Sequence, residues 1–391
     1  MKRYVWIVAL LMLATPVGAE EDMETVQLEA PIVIKSNETF DGSGKRFVSC
    51  DQPAFQMEGT GALLENVTIE QCGQAEVPAI EVTGLGHQLI DVSVQGAGIK
   101  VANSYGVRLV RPLIVGNGRA EGISLFDSEA CVVIGAIIRH ARDGIYVENG
   151  SMHQMTRPLV TDSRYGIHLM FPKDVVISSP NLHGNGAGAM IMGTERVRIE
   201  NGQIHDQTGA TATGIMLFEA LETTVRANAI FGNRVGLYAE KSDWTLIYDN
   251  GINGNDIGLR FKRANEMTME GNDMTGNRYP VLSFESAHND VKGNEWGGQT
   301  LDVTGDGLSD LPFRSDPYLF LLADTYEALE LLYGSPGLTV LEHVLRSPDD
   351  VVLTDEGPRV ETKHATWNGS VGAVVMSSLM ILLWGFGRKR L

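Results

Sequence analysis

The chain has 391 residues, 43% of them hydrophobic and only 7% aromatic, with 44 glycines against 14 prolines. That is too long for a disulfide-stapled miniprotein and too apolar for a disordered chain, and the glycine excess favours many tight turns. Lys and Arg total 31 against 49 Asp and Glu, a formal charge of −18 that argues against nucleic-acid binding, which needs a basic face.

At the start, Lys2 and Arg3 precede the apolar run Tyr4–Leu13, and Val17-Gly18-Ala19 has the small-residue pattern of a signal-peptidase site. Residues 1–19 therefore read as a signal peptide, and 20–45 as an N-terminal cap segment. Without Lys2, Arg3 and the basic Arg388-Lys389-Arg390 at the far end, 26 basic and 49 acidic residues remain, −23 in all. That charge favours solubility or a cationic partner surface, and both readings stand.

A strict internal period follows, with weaker coils reaching upstream to about Ala54-Phe55 and downstream to Pro280-Val281. Gly122, Gly144, Gly166 and Gly188 are 22 residues apart; after a gap of 26 to Gly214 the step of 22 resumes at Gly236 and Gly258. The ladders Asn228, Asn250, Asn272 and Asn233, Asn255, Asn277 keep the same step. A fixed period of this size marks a repeat fold. After each glycine the alternation is two, as in Gly144-Ile-Tyr-Val-Glu148, so these segments are strands rather than helices. Leucine-rich repeats of similar length would show a dense Leu pattern that is missing here. Three short strands per 22 residues, separated by Asn/Gly turns, predict an all-β, right-handed parallel β-helix of about 10–11 coils over 46–297. The Asn ladders are expected to be structural: stacked amides bond one another and tolerate left-handed backbone. Cys50 and Cys72, also 22 apart, would lie on adjacent coils, either bridged or as buried thiols. Cys131 has β-branched neighbours and is expected inside.

Beyond Trp296 the reading changes. Residues 298–316 form an acidic turn, Asp302 to Asp310, whose spacing only partly matches a calcium loop because Phe313 stands where the closing Glu belongs. Leu321, Leu322, Tyr326, Leu329, Leu332 and Tyr333, then Leu338, Leu341, Val344 and Leu345, predict a helical hairpin over 317–347, broken at Gly334-Ser335-Pro336. It would cap the last open coil or dock a partner. Residues 348–366 read as a polar linker and 367–387 as one transmembrane helix, within an uncharged stretch of 23 residues from Ala365 to Gly387. The basic tail 388–391 would stay cytoplasmic, which places everything before the helix on the export side, anchored to the membrane.

In each strand after the glycine the first and third residues face inward, so the second and fourth face out. Read along the stack, the outward pairs are Ser124/Phe126, Tyr146/Glu148, His168/Met170, Met190/Met192, Met216/Phe218, Tyr238/Glu240 and Arg260/Lys262. His168, Met170, Met190, Met192 and Met216 thus fall on three consecutive coils of one exterior sheet, in a patch of about 10 by 7 Å. Thioethers with one imidazole suit Cu(I) and match calcium, magnesium or manganese poorly. An apolar patch covered by a loop or partner is the other reading. Met269 and Met274 fall on inward columns as core filler. Met152-His153-Gln-Met155 is either packing or a second soft site. An acidic-glycan lyase, hydrolase or epimerase, the usual occupation of β-helices, would need paired carboxylates or a base beside a cation in one groove. Tyr146, Glu148, Tyr238, Glu240, Arg260 and Lys262 are the nearest candidates.

Tyr165-Gly-Ile-His-Leu-Met170-Phe171 followed by Gly186-Ala-Gly-Ala-Met190-Ile-Met192 resembles the paired motifs of the NosD family, periplasmic β-helix proteins of nitrous oxide reductase maturation. Asn294-Glu-Trp296, the stretch Asp302 to Pro312 and Gly334-Ser335-Pro336 are similar too, so the resemblance covers about residues 46–347. It implies a non-enzymatic accessory that binds Cu(I) transiently at His168, Met170, Met190 and Met192; Met216 is added by the stacking argument. It also implies partners: an ATP-binding-cassette transporter whose membrane subunit takes the hairpin 317–347, a copper chaperone, and nitrous oxide reductase as client. The terminal membrane helix departs from the family pattern and leaves open a paralogue serving another copper enzyme. A metal-free adaptor remains the third reading.

Overall fold

Backbone spacing explains why the 22-residue glycine column cannot carry side chains. A Cβ built on Gly144, Gly166, Gly188 or Gly214 would come within 2.5 Å of the carbonyl oxygen of the glycine one coil further on. Parallel strands about 4.8 Å apart leave no room there. The computed structural model describes residues 23–360 apart from 73–76, 210, 299 and most of 319–350. They form an all-β, right-handed parallel β-helix of about twelve turns.

One wall is a sheet of twelve parallel strands running from Ile32–Ile34 to Tyr279–Phe284. The other two walls join into a sheet of 21 strands through the long strands Leu63–Gln71 and Gln88–Gln95, which turn the corner without a break. A typical coil is Val132–Ile134, Ile137–Arg139 and Asp143–Glu148. Its inward residues Val133, Ile138, Ile145 and Val147 are at most 1% exposed, and each such side chain contributes about 1.5–3 kcal/mol on burial. Cys131, Met269 and Met274 are wholly buried, as expected of inward columns. Cys50 and Cys72 are bridged on adjacent coils, with Cα atoms 4.8 Å apart.

The expected boundaries shift at both ends. The stack starts inside the segment expected to be a cap: Glu24–Gln27 pairs with Lys45–Ser49, and Ile32–Ile34 with Phe55 to Met57. Alternation over strands of three or four residues is too short to register as a coil, which is why the count exceeds 10–11. At the far end, Leu353–Asp355, within the expected linker, pairs antiparallel with Phe313–Ser315 and closes the last coil. Asp302 is a turn residue whose carboxylate accepts hydrogen bonds from the Gly305 and Gly307 amides. The expected signal peptide, the membrane helix 367–387 and most of the hairpin 317–347 lie outside the described residues. Among those described, no helix is long and apolar enough to cross a membrane.

The Asn ladders are structural, though not through left-handed asparagines. Asn228 Nδ2 donates to Asn250 Oδ1 at 3.1 Å, Asn250 to Asn272 at 2.9 Å and Asn272 to Asn294 at 2.8 Å. The left-handed backbone belongs to the residue before each: Ala227, Asp249, Gly271 and Gly293 all have φ between 52° and 70°. The second ladder runs back through Gln207, Asn185 and Ser163, whose backbone amides each donate to the side-chain oxygen one coil further on. The first ladder ends on Asp355, which is fully buried. Its Oδ2 accepts from the Asn294 amide at 3.1 Å and from Trp296 Nε1 at 3.0 Å. A carboxylate thus stands where the next coil's amide would be. Replacing Asp355 by Ala orphans buried donors, each costing about 1–3 kcal/mol. The Asp355→Ala variant should therefore unfold in urea with about 3 kcal/mol less stability; an unchanged midpoint would show that this strand does not hold the end of the stack.

Candidate functional site

The pairing register sets the outward columns side by side as the glycine phase predicts. Tyr146 faces His168, His168 faces Met190, Met190 faces Met216, and Met216 faces Tyr238. The second column runs Glu148, Met170, Met192, Phe218, Glu240. All five predicted residues share one face of the twelve-stranded sheet, bracketed on each side by a Tyr-x-Glu strand.

Facing outward does not mean full exposure. His168 and Met190 are only 7% and 5% exposed, although both point away from the core, while Met170, Met192 and Met216 are half-buried. Neighbouring side chains account for the histidine: the rings of Tyr146 and Tyr165 stand edge-on to its imidazole at 5.1 and 4.9 Å. The Tyr146 hydroxyl, 2.7 Å from Glu148 Oε2, also lies 3.2 Å from Met170 Sδ. Its single proton can serve only one of them at a time. With burial as the larger cause, and the Glu148 hydrogen bond next, the phenol's pKa rises above its ordinary value.

Asp143 went unrecognised in the sequence. It precedes Gly144, is fully buried, and accepts from both Arg164 Nε at 2.9 Å and Arg164 Nη2 at 2.7 Å. Its Oδ2 is also 2.9 Å from His168 Nδ1. Burial works against its charge, but the hydrogen bonds from His168 and Arg164 outweigh it and hold the carboxyl below the usual range. Arg164 in turn lies over the Tyr165 ring at 4.7 Å. The residue 25 positions before His168 carries no periodic signal toward it; only the three-dimensional stacking joins them.

Phe171 is a second surprise. It stands in the turn column where Asn149, Gly193 and Lys241 also adopt left-handed backbone, yet it is a bulky aromatic at φ 66° and 52% exposed. Its ring occupies the space a Cβ on Gly193 would need, 2.5 Å away. The motif's Met170-Phe171 and Met192-Gly193 are therefore a matched pair.

At the far side, Tyr238 donates to Glu240 at 2.6 Å and Arg263 binds the same carboxylate at 2.6 Å. Burial acts against the Glu240 charge, but these bonds prevail and hold its pKa low. Glu148 and Glu240 are four strand steps apart, about 19 Å. Among the described residues no three His, Cys, Asp or Glu side chains converge as a metal site. A soft ion at this face would be held by thioethers and one imidazole.

Met152, His153 and Met155 do not form a second site. Met152 is 46% exposed, whereas His153 and Met155 point into the coil.

The fold and the site define a class: a parallel β-helix whose outer wall carries an aligned patch of thioethers beside a carboxylate-held imidazole. Residues 91–304 match the family described as "Periplasmic copper-binding protein (NosD)", and the chain belongs to that family. No curated protein matches the chain in sequence. Among solved structures, the A-module of a mannuronan C-5 epimerase of Azotobacter vinelandii is similar at TM-score 0.58 and 12% identity, covering 69% of this chain and 87% of that one. A periplasmic alginate epimerase is similar at TM-score 0.53 and 16% identity, covering 68% and 78%. At such identities the likeness is one of fold.

His153 supplies a pH test of the coil beside this patch. Burial lowers its pKa to about 4, so the folded chain keeps it neutral while the unfolded chain takes up a proton near pH 6.5. Its contribution is therefore complete above pH 6.5 and lost progressively as pH falls toward 4. Between pH 7 and pH 5 the loss should be about 2 kcal/mol by urea unfolding, and a His153→Leu variant should lack it. Equal pH slopes for both chains would contradict this.

Proposed function

We propose that the chain is a non-enzymatic copper-handling accessory of the periplasm, with Cu(I) as cargo rather than resident cofactor. Copper arrives from a chaperone, rests on His168, Met170, Met190, Met192 and Met216, and passes to a client docked along the same wall. The client is nitrous oxide reductase or another copper enzyme. An ATP-binding-cassette transporter is the third partner, its membrane subunit taking the segment 317–347, while the helix 367–387 keeps the exported part at the cytoplasmic membrane.

The observation that carries this reading is the register. His168, Met190 and Met216 are consecutive partners in one column, and Met170 and Met192 are partners in the next. One column spacing and two strand steps separate the extremes, about 12 Å, which flexible thioethers can close. Soft neutral sulfur holds Cu(I) without fixing a rigid geometry, as transfer requires. Membership in a family described as copper-binding supports the same conclusion. The epimerase-like fold favours a glycan-active reading, but Glu148 and Glu240 are each committed to a neighbouring tyrosine and stand too far apart for one glycosidic bond.

Anaerobic competition titration with a Cu(I) chelator tests the proposal. Replacing Met190 and Met192 by Ala together should weaken Cu(I) binding about tenfold or more, a loss of about 1.4 kcal/mol or greater. Met269→Ala, in the core, should lower the thermal midpoint and leave copper affinity alone. Unaltered affinity in the double variant removes copper from this face, and partner binding indifferent to copper and chelators would mark a metal-free adaptor.

A further inference from the structure

We infer that Asp143 is a positioning residue for the copper site: it fixes His168 as the Nδ1–H tautomer, so that Nε2 is the nitrogen offered to the metal. The inference rests on the copper reading for its consequence, but the tautomer is set by this chain's own hydrogen bonds. Asp143 Oδ1 accepts from Arg164 Nε, and Oδ2 from Arg164 Nη2. A guanidinium can only donate, so the group it grips in this two-pronged way must be an acceptor, the ionised carboxylate. Oδ2 then also lies 2.9 Å from His168 Nδ1. A carboxylate has no proton to give; the imidazole must donate, and its proton is on Nδ1.

A neutral imidazole has one proton, so Nε2 keeps its lone pair. Among the described residues the hydrogen bond to Asp143 is the only one His168 makes through its ring, and Nε2 is not among the sealed, unpartnered polar atoms. The ring cannot easily turn over to exchange its nitrogens. Tyr146 and Tyr165 stand edge-on against it, Arg164 lies over Tyr165, and only 9% of the side chain is exposed. The arrangement is the familiar device of metal centres in which a carboxylate orients a histidine ligand and raises its basicity. Here the carboxylate is recruited from the coil before, and Arg164, two residues before Gly166, locks it in place.

Two measurements separate this inference from the copper proposal. In the metal-free chain with 15N-labelled histidine, long-range 15N–1H correlation, assigned with a His168→Gln variant, should show the Nδ1–H tautomer for His168. An Nε2–H signature overturns the inference outright. Asp143→Asn keeps the shape but leaves one acceptor oxygen where Arg164 Nε, Arg164 Nη2 and His168 Nδ1 all meet the carboxylate; with that oxygen on Arg164 Nε, the amide NH2 faces Nδ1. The imidazole proton should then move to Nε2, and Cu(I) affinity should fall by about ten- to hundredfold. A shifted tautomer with unchanged copper affinity also overturns the role. If instead His168→Gln leaves copper affinity intact while the wild-type tautomer is as stated, the copper reading at His168 fails and the hydrogen-bond assignment stands. Should Asp143→Asn fold poorly, Arg164→Gln, which leaves the Asp143–His168 bond in place, should retain the Nδ1–H signature.

Discussion

Everything in this molecule depends on the close, in-register stacking of one coil on the next. At a strand spacing of about 4.8 Å the backbone of each coil is the floor of its neighbour, and a residue type that suits one level suits every level. The glycine column is the plainest expression, because a single methyl group would strike the next carbonyl oxygen. The same spacing lets side-chain amides of Asn228, Asn250 and Asn272 hand a hydrogen bond from level to level until Asp355 ends the relay. It also turns a sequence interval of 22 residues into immediate contact, so that His168 and Met190 are neighbours in space.

That constraint explains which features could be read from the amino-acid order. The phase of the glycines gives the facing of every residue behind them, and the five outward side chains His168, Met170, Met190, Met192 and Met216 line up as that phase requires. What periodicity cannot express is a contact between columns. Asp143 belongs to the position just before a glycine, where the corresponding residues are Tyr165 and Ala187, and nothing repeats there. Its partnership with His168 crosses from one column to another and from one coil to the next. Burial of the imidazole likewise depends on Tyr146 and Tyr165, two rings contributed by different levels. The early coil at Glu24 and the closing strand at Leu353 were hidden for a different reason: three or four residues carry too little alternation to distinguish strand from linker.

A β-helix is a rigid support, and this bears on how a soft ion would be handled. Hydrogen-bonded strands fix the Cα positions of the donors, so any adaptability must come from the side chains. Methionine supplies it, with three rotatable bonds and a sulfur that bonds without charge. The patch divides accordingly. His168 and Met190 are nearly enclosed and form its fixed part, whereas Met170, Met192 and Met216 are half-buried and have room to move. A donor set with one anchored imidazole and several mobile thioethers can hold an ion and still surrender it by stages.

The Tyr146 hydroxyl adds a local competition to that picture. It stands between Glu148 and Met170 Sδ with one proton to place. The carboxylate is the stronger acceptor, so the thioether contact is the weaker of the two and the easier to release. A metal approaching Met170 would displace a contact that the phenol can exchange for its bond to Glu148, so little is lost when the sulfur changes partner. At the opposite edge Tyr238 and Glu240 repeat the tyrosine–carboxylate bond and Tyr238 pairs directly with Met216, but Glu240 pairs with Phe218, which has no lone pair for a metal where Met170 stands beside Glu148. The two edges of the patch are thus alike in framework and different in chemistry: Tyr146 and Glu148 flank the Asp143-held His168 and Met170, whereas Tyr238 and Glu240 flank Met216 and Phe218.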